Sequence, residues 1–173
     1  SALHYAFFAE HFDDLAARTG SRRLPRGNFE PEKLDAQSAA TLALFQFMIG
    51  NVDYATNEGP EDDSCCHNTR LIGTGDHETP RYSIPYDFDS TGLVDAHYAH
   101  PPDILKLRNI RQRLYRGFCT EKDILRGALQ GVMSRQDDIL AVIDDSDVTS
   151  SGDLTLTAMS TAEIESLAIG ASL

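Results

Sequence analysis

Three short polar segments organise this sequence: Gly50-Asn51-Val52-Asp53, Cys65-Cys66-His67-Asn68 and Pro85-Tyr86-Asp87-Phe88-Asp89. An apolar helix is predicted before the first segment, and two short strands are predicted between the second and the third. Each segment therefore brings oxygen-bearing side chains to the end of a short regular element. Mg²⁺ is usually held in proteins by one or two carboxylates together with substrate phosphates. The pattern favours a metal–phosphate site between residues 50 and 92.

The elements around these segments follow from apolar periodicity and turn residues. A mostly buried helix is predicted over residues 35–49, and Gly50 ends it as a C-cap. Short strands are predicted at residues 69–72 and 82–84, joined by a turn-rich segment. Before them, residues 4–8 have strand-like aromatic content, residues 10–18 indicate a short helix, and residues 20–31 indicate a loop.

The second half of the chain is predicted to be helical. A basic helix is expected over residues 103–116, and Thr120 is expected to cap a long amphipathic helical segment that reaches Ile143. Beyond it, residues 144–153 are acidic and rich in Ser, and Ser160-Thr161-Ala162-Glu163 forms a capping box that predicts a final helix. The fold class expected is α+β, mostly α, with one domain at residues 1–145 and a linker with a C-terminal helix at residues 146–173.

Composition limits the classes of function. At 173 residues the chain fits one domain with a real core. Its net charge of −12 argues against a nucleic-acid partner, because phosphates call for a basic face. No apolar run approaches the roughly 18 residues of a membrane span. The three Cys match no zinc spacing. The oligomeric state is left open.

The compartment is also left open by the sequence. No signal peptide is visible, but the chain begins at Ser1 without Met, so we expect an N-terminal part to be missing. Both an exported or periplasmic protein and a cytoplasmic one are compatible with three Cys, and export is preferred. In an exported protein, Cys65 or Cys66 could pair with Cys119 in a disulfide. In a cytosolic protein, all three would be small buried hydrophobic residues.

The motif residues resemble a known family. The resemblance rests on residues 45–53, Cys66-His67-Asn68, residues 85–99, and residues 111–119 with the sequence Arg-Gln-Arg-Leu-Tyr-Arg-Gly-Phe-Cys. These look like a family of uncharacterised bacterial proteins that is similar to the atypical kinases typified by spore-coat protein H and, more remotely, to the persistence-toxin kinases. The match covers roughly residues 1–145. It implies the C-terminal lobe of a protein-kinase-like fold, with a short β-hairpin next to a metal site.

The resemblance implies a role for each motif position. Asp53 would be the catalytic residue that orients or accepts the proton of the attacking hydroxyl. Asn68 and Asp87 would hold Mg²⁺ or Mn²⁺ across the phosphates of ATP, and Asp89 could be a further metal ligand. Asn51 and Asn68 are assigned to cofactor binding. The implied reaction is Mg–ATP-dependent phosphoryl transfer to a protein hydroxyl.

Two features depart from the pattern of ordinary protein kinases. Asp53 and Asn68 are 15 positions apart, whereas the corresponding Asp and Asn of protein kinases are about five apart. The chain also has no Gly-rich phosphate loop and no strand Lys that pairs with a helix Glu. Because those groups belong to an N-terminal lobe, this chain alone would provide half of an ATP site.

Other interpretations of the same residues stay open. An Asp after a helix C-cap is usually a turn residue, and a His beside Asn68 is more often packed than a ligand. The basic residues of 103–116 could face phosphate or pair with the surplus acids, and pairing is preferred; they are Lys106, Arg108, Arg111, Arg113 and Arg116. As alternatives to an active kinase, a pseudokinase scaffold would lack turnover, and a metal-dependent phosphohydrolase would use water as the nucleophile.

Overall fold

The structure is a computed structural model, and it describes residues 9–59, 65–75, 80–118, 121–144, 146–150 and 154–158. In these residues the chain has mixed α+β structure, with four α-helices and a three-stranded antiparallel sheet. The α+β class expected from the sequence is confirmed at this level. No kinase fold is identified in it, so the kinase-like lobe stays a prediction.

The chain divides into two units that interleave along the sequence. One unit comprises Ser1–Asp35 and Tyr54–Tyr86, and the other comprises Ala36–Asp53 and Asp87–Leu173. The predicted boundary near residue 145 is not tested by this division. The strand prediction at residues 4–8 lies outside the described residues.

The first unit is built on a small antiparallel sheet. Strand β2 (Thr69–Gly73) lies between β1 (Arg22–Arg23) and β3 (Tyr82–Pro85), with Thr69 opposite Pro85 and Ile72 opposite Tyr82. The strands predicted at residues 69–72 and 82–84 are therefore confirmed. The prediction of a loop at residues 20–31 missed β1. Two adjacent arginines show no strand pattern in the sequence, and they form a strand only because they pair with β2.

Helix α1 (Phe12–Arg18) precedes this sheet, as the sequence predicted. The Nδ1 atom of His11 accepts a hydrogen bond from the backbone N–H of Asp13 at 3.3 Å, which caps the first turn. At its other end, Arg18 donates two hydrogen bonds to the carboxylate of Glu10, at 3.0 and 2.8 Å. This bidentate pair lowers the pKa of Glu10, chiefly through the hydrogen bonds from Arg18.

Helix α2 (Ala36–Ile49) begins the second unit and ends in a Schellman motif. The backbone N–H of Asn51 donates to the carbonyl of Gln46 at 2.8 Å, and the N–H of Gly50 donates to the carbonyl of Phe47 at 3.2 Å. Gly50 has a φ of 67°, which a residue with a side chain seldom adopts. The predicted glycine C-cap is confirmed, and it fixes the direction in which the chain leaves the helix.

The core of the second unit surrounds the segment after α2. Val52, Ala99 and Ile110 are buried together, and Leu105 and Leu107 pack against them. The helix predicted over residues 103–116 is wrong: only a 3₁₀ turn at Asp103–Leu105 forms there. Lys106 takes a left-handed φ of 51° and ends this turn. From there the chain runs as loop, so that its apolar side chains reach the core.

Two more helices follow in the second unit, α3 (Lys122–Met133) and α4 (Gln136–Asp144). The predicted long helical segment is thus two helices, separated at Ser134–Arg135, and its predicted cap Thr120 lies outside the described residues. Helices α2 and α3 pack against each other. Gly127 of α3 allows this approach, since a Cβ there would lie 3.2 Å from the Oε1 atom of Gln37 on α2.

The last described elements are β4 (Ser146–Ser150) and β5 (Leu154–Ala158), which pair antiparallel. The sequence interpretation placed a linker here, but the alternating Thr and Leu of β5 suit a strand. The capping box at residues 160–163 and the helix predicted after it lie outside the described residues. No helix in the described part of the chain is long and apolar enough to cross a membrane.

Candidate functional site

A short antiparallel contact joins the chain after α2 to the chain after Asp89. Asn51 and Thr91 form an isolated bridge, and the N–H of Gly92 donates to the carbonyl of Gly50 at 3.0 Å. The N–H of Leu93 donates in the same register to the carbonyl of Ile49, also at 3.0 Å. Continued in the other direction, this register leads from Asn51 toward Asp53 and from Thr91 toward Asp89.

At the end of this contact, the backbone of Asp53 is held by a hydrogen bond to Asn51. Its N–H donates to the Oδ1 atom of Asn51 at 2.8 Å, while the side chain of Asp53 is half-buried. Between them Val52 is fully buried, and its carbonyl accepts a hydrogen bond from Arg116 at 2.6 Å. The backbone of Asp53 is therefore held by a buried residue before it and by an Asx turn.

Asn51 was predicted to bind cofactor, and its surroundings give it a structural task as well. The residue is 1% exposed, and its Oδ1 atom is used by the N–H of Asp53. Its Nδ2 atom is buried without a hydrogen-bond partner among the described residues. Asn51 thus orients Asp53, and the cofactor-binding role stays a prediction.

Asp87 and Asp89 flank an aromatic anchor in the second unit. The ring of Phe88 packs edge-to-face on the ring of Phe45 in α2, with centroids 5.9 Å apart. Beside this ring contact, Asp87 is half-buried and Asp89 is exposed. The N–H of Asp89 lies 3.5 Å from the Oδ1 atom of Asp87, which keeps the two residues in one turn.

Tyr98 is a partner of this acidic pair that sequence reasoning missed. Its hydroxyl donates to the Oδ2 atom of Asp89 at 3.0 Å. This hydrogen bond, together with burial and the charges of Asp89 and Asp87, raises the pKa of the Tyr98 hydroxyl. A separation of nine residues through irregular chain matches no period, so the sequence offered no signal for the contact.

Asn68, the predicted amide ligand, lies in the first unit at the start of β2. It has a φ of 52°, and its carbonyl accepts a hydrogen bond from the N–H of Tyr86 at 3.2 Å. Tyr86 directly precedes Asp87 in sequence, so the hairpin pairs Asn68 with the neighbour of the predicted metal ligand. His67 pairs with Ala55 through two backbone hydrogen bonds, at 2.9 and 3.2 Å.

The structure therefore groups the predicted residues in two sets. Asn51, Asp53, Asp87 and Asp89 belong to the second unit, and Asn68 belongs to the first. Among the described residues, no group of three or more His, Cys, Asp and Glu side chains comes together as a metal site. The pair of Asp87 and Asp89 nevertheless fits Mg²⁺, which prefers hard oxygen ligands and keeps several positions for water and phosphate.

Gly92 makes the close approach of these segments possible. A Cβ at this position would lie 2.8 Å from the carbonyl oxygen of Ile110 and 3.0 Å from the Cα of Arg111. Both contacts are with backbone, which cannot swing aside as a side chain can. A glycine is therefore required where the chain after Asp89 passes the chain at Ile110.

The arginines near the end of α2 are engaged mainly by the protein itself. Arg113 donates to the carbonyl of Met48 at 3.1 Å, and Arg116 donates to the carbonyl of Val52. Arg111 donates to the carboxylate of Asp95, at 2.9 Å from its Nε atom. The preference for pairing with acids is thus correct for Arg111, while Arg113 and Arg116 bind backbone carbonyls.

The disulfide in the structure differs from the bridge to Cys119 that the sequence suggested. Cys65 and Cys66 are joined to each other by a disulfide, so neither is paired with Cys119, which lies outside the described residues. The two sulfur atoms lie 3.6 and 3.2 Å from the carbonyl oxygen of Thr56. A disulfide sulfur has no proton to donate, so in the bridged form these are packing contacts.

No protein-family model matches this chain, and no curated protein and no solved structure matches it. The resemblance to atypical kinases therefore rests on the motif residues alone.

Proposed function

We propose that this chain provides the catalytic and metal-binding residues of an atypical protein-kinase-like phosphotransferase. The observation that supports the proposal best is the antiparallel contact of Asn51 with Thr91. Asp53 lies two residues after Asn51 and Asp89 lies two residues before Thr91. In an antiparallel pairing, both therefore lie on the same side of the bridge. A carboxylate for the acceptor hydroxyl and carboxylates for a metal would then stand close together, as phosphoryl transfer requires.

Asp87 and Asp89 would hold Mg²⁺, and the metal-binding role of Asn68 stays a prediction. The metal ion, when bound, supplies positive charge that offsets the charge of the nucleotide phosphates. Phe88 keeps the acidic pair in place through its contact with Phe45. Tyr98 donates a hydrogen bond to the Oδ2 atom of Asp89 and so helps to hold that carboxylate in one orientation.

Asp53 would act on the acceptor. Its carboxylate would accept the hydrogen bond of a protein hydroxyl, orient the oxygen toward the γ-phosphate of ATP, and take the proton as the P–O bond forms. The oxygen between the β- and γ-phosphorus atoms leaves with ADP. The backbone of Asp53 is held by Asn51 and a buried Val52, so its carboxylate would need little main-chain rearrangement when a substrate binds.

A transfer assay with [γ-³²P]ATP tests the proposal. The protein used is the full reading frame that contains this chain, with candidate acceptor proteins in the reaction, and autophosphorylation counts as activity. Label on protein that is lost when Asp87 is changed supports the kinase. Nucleotide binding without any transfer shows a pseudokinase, and release of phosphate to water alone shows a phosphohydrolase.

A further inference from the structure

Three arginines meet at one pocket in the first unit. The pocket is lined by residues 23–26 on one side and by residues 65, 66 and 69–71 on the other. Its empty volume is about 300 Å³, which includes its open mouth. Among the described residues, the charged side chains on its wall are those of Arg23, Arg26 and Arg70, and none of the lining residues is acidic. In a chain with a net charge of −12, such a local concentration of positive charge calls for an explanation.

These arginines have little charge compensation from the part of the chain that the structure describes. Arg26 is exposed and has no ion pair or hydrogen bond among the described residues. Arg23 approaches an acid only at 3.7 Å, from its Nη1 atom to Asp13, and both side chains are exposed. Exposed pairs of this kind contribute little, so most of the charge of Arg23 remains available.

Arg70 is the most constrained of the three. Its guanidinium lies over the ring of Tyr86, 4.8 Å from the ring centroid, and the residue is only partly exposed. Its Nη1 atom is buried and has no hydrogen-bond partner among the described residues. A partly desolvated cation without an anionic partner is unfavourable, and an anion at the pocket would stabilise the charge that is delocalised over the whole group.

We propose that this pocket binds a phosphate group. Arginine guanidinium groups match the tetrahedral phosphate dianion, which accepts several hydrogen bonds at once and carries more charge than a carboxylate. Three arginines that have one weak acidic neighbour among the described residues suit a doubly charged group better than a singly charged one. The pocket is open at its mouth, so the phosphate group held there is either free phosphate or the end of a phosphomonoester.

Calorimetry on the full chain tests this site. Sodium phosphate at pH 8 and constant ionic strength is expected to bind saturably with a dissociation constant on the order of millimolar. Arg26→Gln and Arg70→Gln should each weaken binding by at least about tenfold, because each removes charge-assisted hydrogen bonds. Arg135→Gln, an exposed arginine on the turn between α3 and α4, changes net charge equally and should leave binding unchanged.

A variant that removes a negative charge near the pocket, instead of a positive one, makes the test specific to the site. Asp13→Asn removes the carboxylate near Arg23, so it should tighten phosphate binding slightly, by about twofold, because the exposed pair is weak. Arg26→Gln and Asp13→Asn change exposed side chains, so both variants remain informative if Arg70→Gln does not fold. The proposal is wrong if phosphate gives no saturation below about 100 mM. It is also wrong if Arg135→Gln weakens binding as much as Arg26→Gln does.

Two further ligands identify the chemistry. Acetate should bind at least about tenfold more weakly than phosphate, and equal binding would show a carboxylate site and overturn the proposal. Phosphoserine distinguishes the two sources of the phosphate group. Binding of phosphoserine as tightly as phosphate supports a phosphomonoester ligand, whereas binding of phosphate alone supports free phosphate.

Discussion

Asn51 lies opposite Thr91 in an antiparallel bridge, and both residues are 1% exposed. This contact joins two parts of the chain that are 40 residues apart in sequence. Each part leads directly to an acidic residue of the candidate site, Asp53 on one side and Asp89 on the other. The geometry of the proposed site therefore depends on backbone pairing that neither segment could form alone.

Gly92 allows the chain after Asp89 to pass the backbone at Ile110, so Gly92→Ala should destabilise the protein. The added Cβ would lie 2.8 Å from a carbonyl oxygen, and the backbone must shift to relieve this contact. We expect the free energy of unfolding to fall by about 1–3 kcal/mol, measured by urea denaturation.

Gly131→Ala is the matched control. Gly131 lies in α3, and nothing stands within 4 Å of a Cβ there. The same substitution should raise the free energy of unfolding by about 0.5–1 kcal/mol, because alanine favours a helix. Equal effects of the two substitutions would show that the backbone contact at Gly92 is not formed.

The sequence predicted the local elements well because their signals are local. The Schellman motif after α2 follows from one glycine behind an apolar helix, and the hairpin of β2 and β3 follows from β-branched residues around a turn. Residues 103–116 misled the prediction for the opposite reason. Their helical composition is outweighed by the burial of Leu107 and Ile110 against Val52, a tertiary contact without a period.

The candidate site was predictable only as a set of residue types. The spacing of Asp53, Asn68 and Asp87 suggested oxygen ligands in a certain order, but not which of them meet. The pairing of Asn51 with Thr91 and the hydrogen bond of Tyr98 to Asp89 join residues that are not neighbours in a regular element. No alternation or motif in the sequence indicates either contact. The arginine pocket was equally invisible, because it joins residues about 45 positions apart around β2.

Gln46 is a buried polar residue whose replacement should stabilise the protein. It is 0% exposed, and neither amide atom has a hydrogen-bond partner among the described residues. Gln46→Met keeps the size and helix propensity and removes the unsatisfied group, so we expect a gain of about 1 kcal/mol in the free energy of unfolding. Gln130→Met, at an exposed position of α3, should change it by less than about 0.5 kcal/mol. A loss of stability in Gln46→Met would instead indicate that a buried water satisfies the amide.

Tyr98 should make a contribution to stability that depends on pH. Its pKa is raised in the folded state, mainly by the hydrogen bond to Asp89. The contribution is therefore fully present below the ordinary tyrosine pKa of about 10 and is lost as pH rises through the folded value. The difference in unfolding free energy between wild type and Tyr98→Phe should stay constant from about pH 7 to 9 and shrink above about pH 10. A difference that grows with pH would contradict the hydrogen bond.

Asp87 is expected to be the main metal ligand of the proposed site. Calorimetry of Mg²⁺ or Mn²⁺ with nucleotide should give a heat signal that Asp87→Asn abolishes, because the amide lacks the charge that holds the cation. In this chain alone we expect weak affinity, on the order of millimolar. Asp138→Asn in α4 alters net charge equally at an exposed position and should leave the signal intact. Equal binding by Asp87→Asn and wild type would remove Asp87 from the site.

Asp53 distinguishes a catalytic site from a structural turn. In the full reading frame, Asp53→Asn should leave metal and nucleotide binding largely intact while it lowers phosphoryl transfer by about 10²-fold or more. The backbone hydrogen bond from residue 53 to Asn51 survives this change, so the turn should persist and the folded fraction should stay near that of wild type.

The two roles of Asp53 therefore differ in one ratio, the transfer rate divided by the concentration of folded protein. For a catalytic Asp53 this ratio falls, because the amide cannot take the proton of the acceptor hydroxyl. For a turn residue the ratio stays constant, and any lost activity follows lost folding measured on the same sample. Asn51→Ala sharpens the comparison, since it removes the acceptor that holds the Asp53 N–H while it keeps the carboxylate. If Asp53 is catalytic, Asn51→Ala should lower the ratio less than Asp53→Asn does, because a misplaced base still accepts protons.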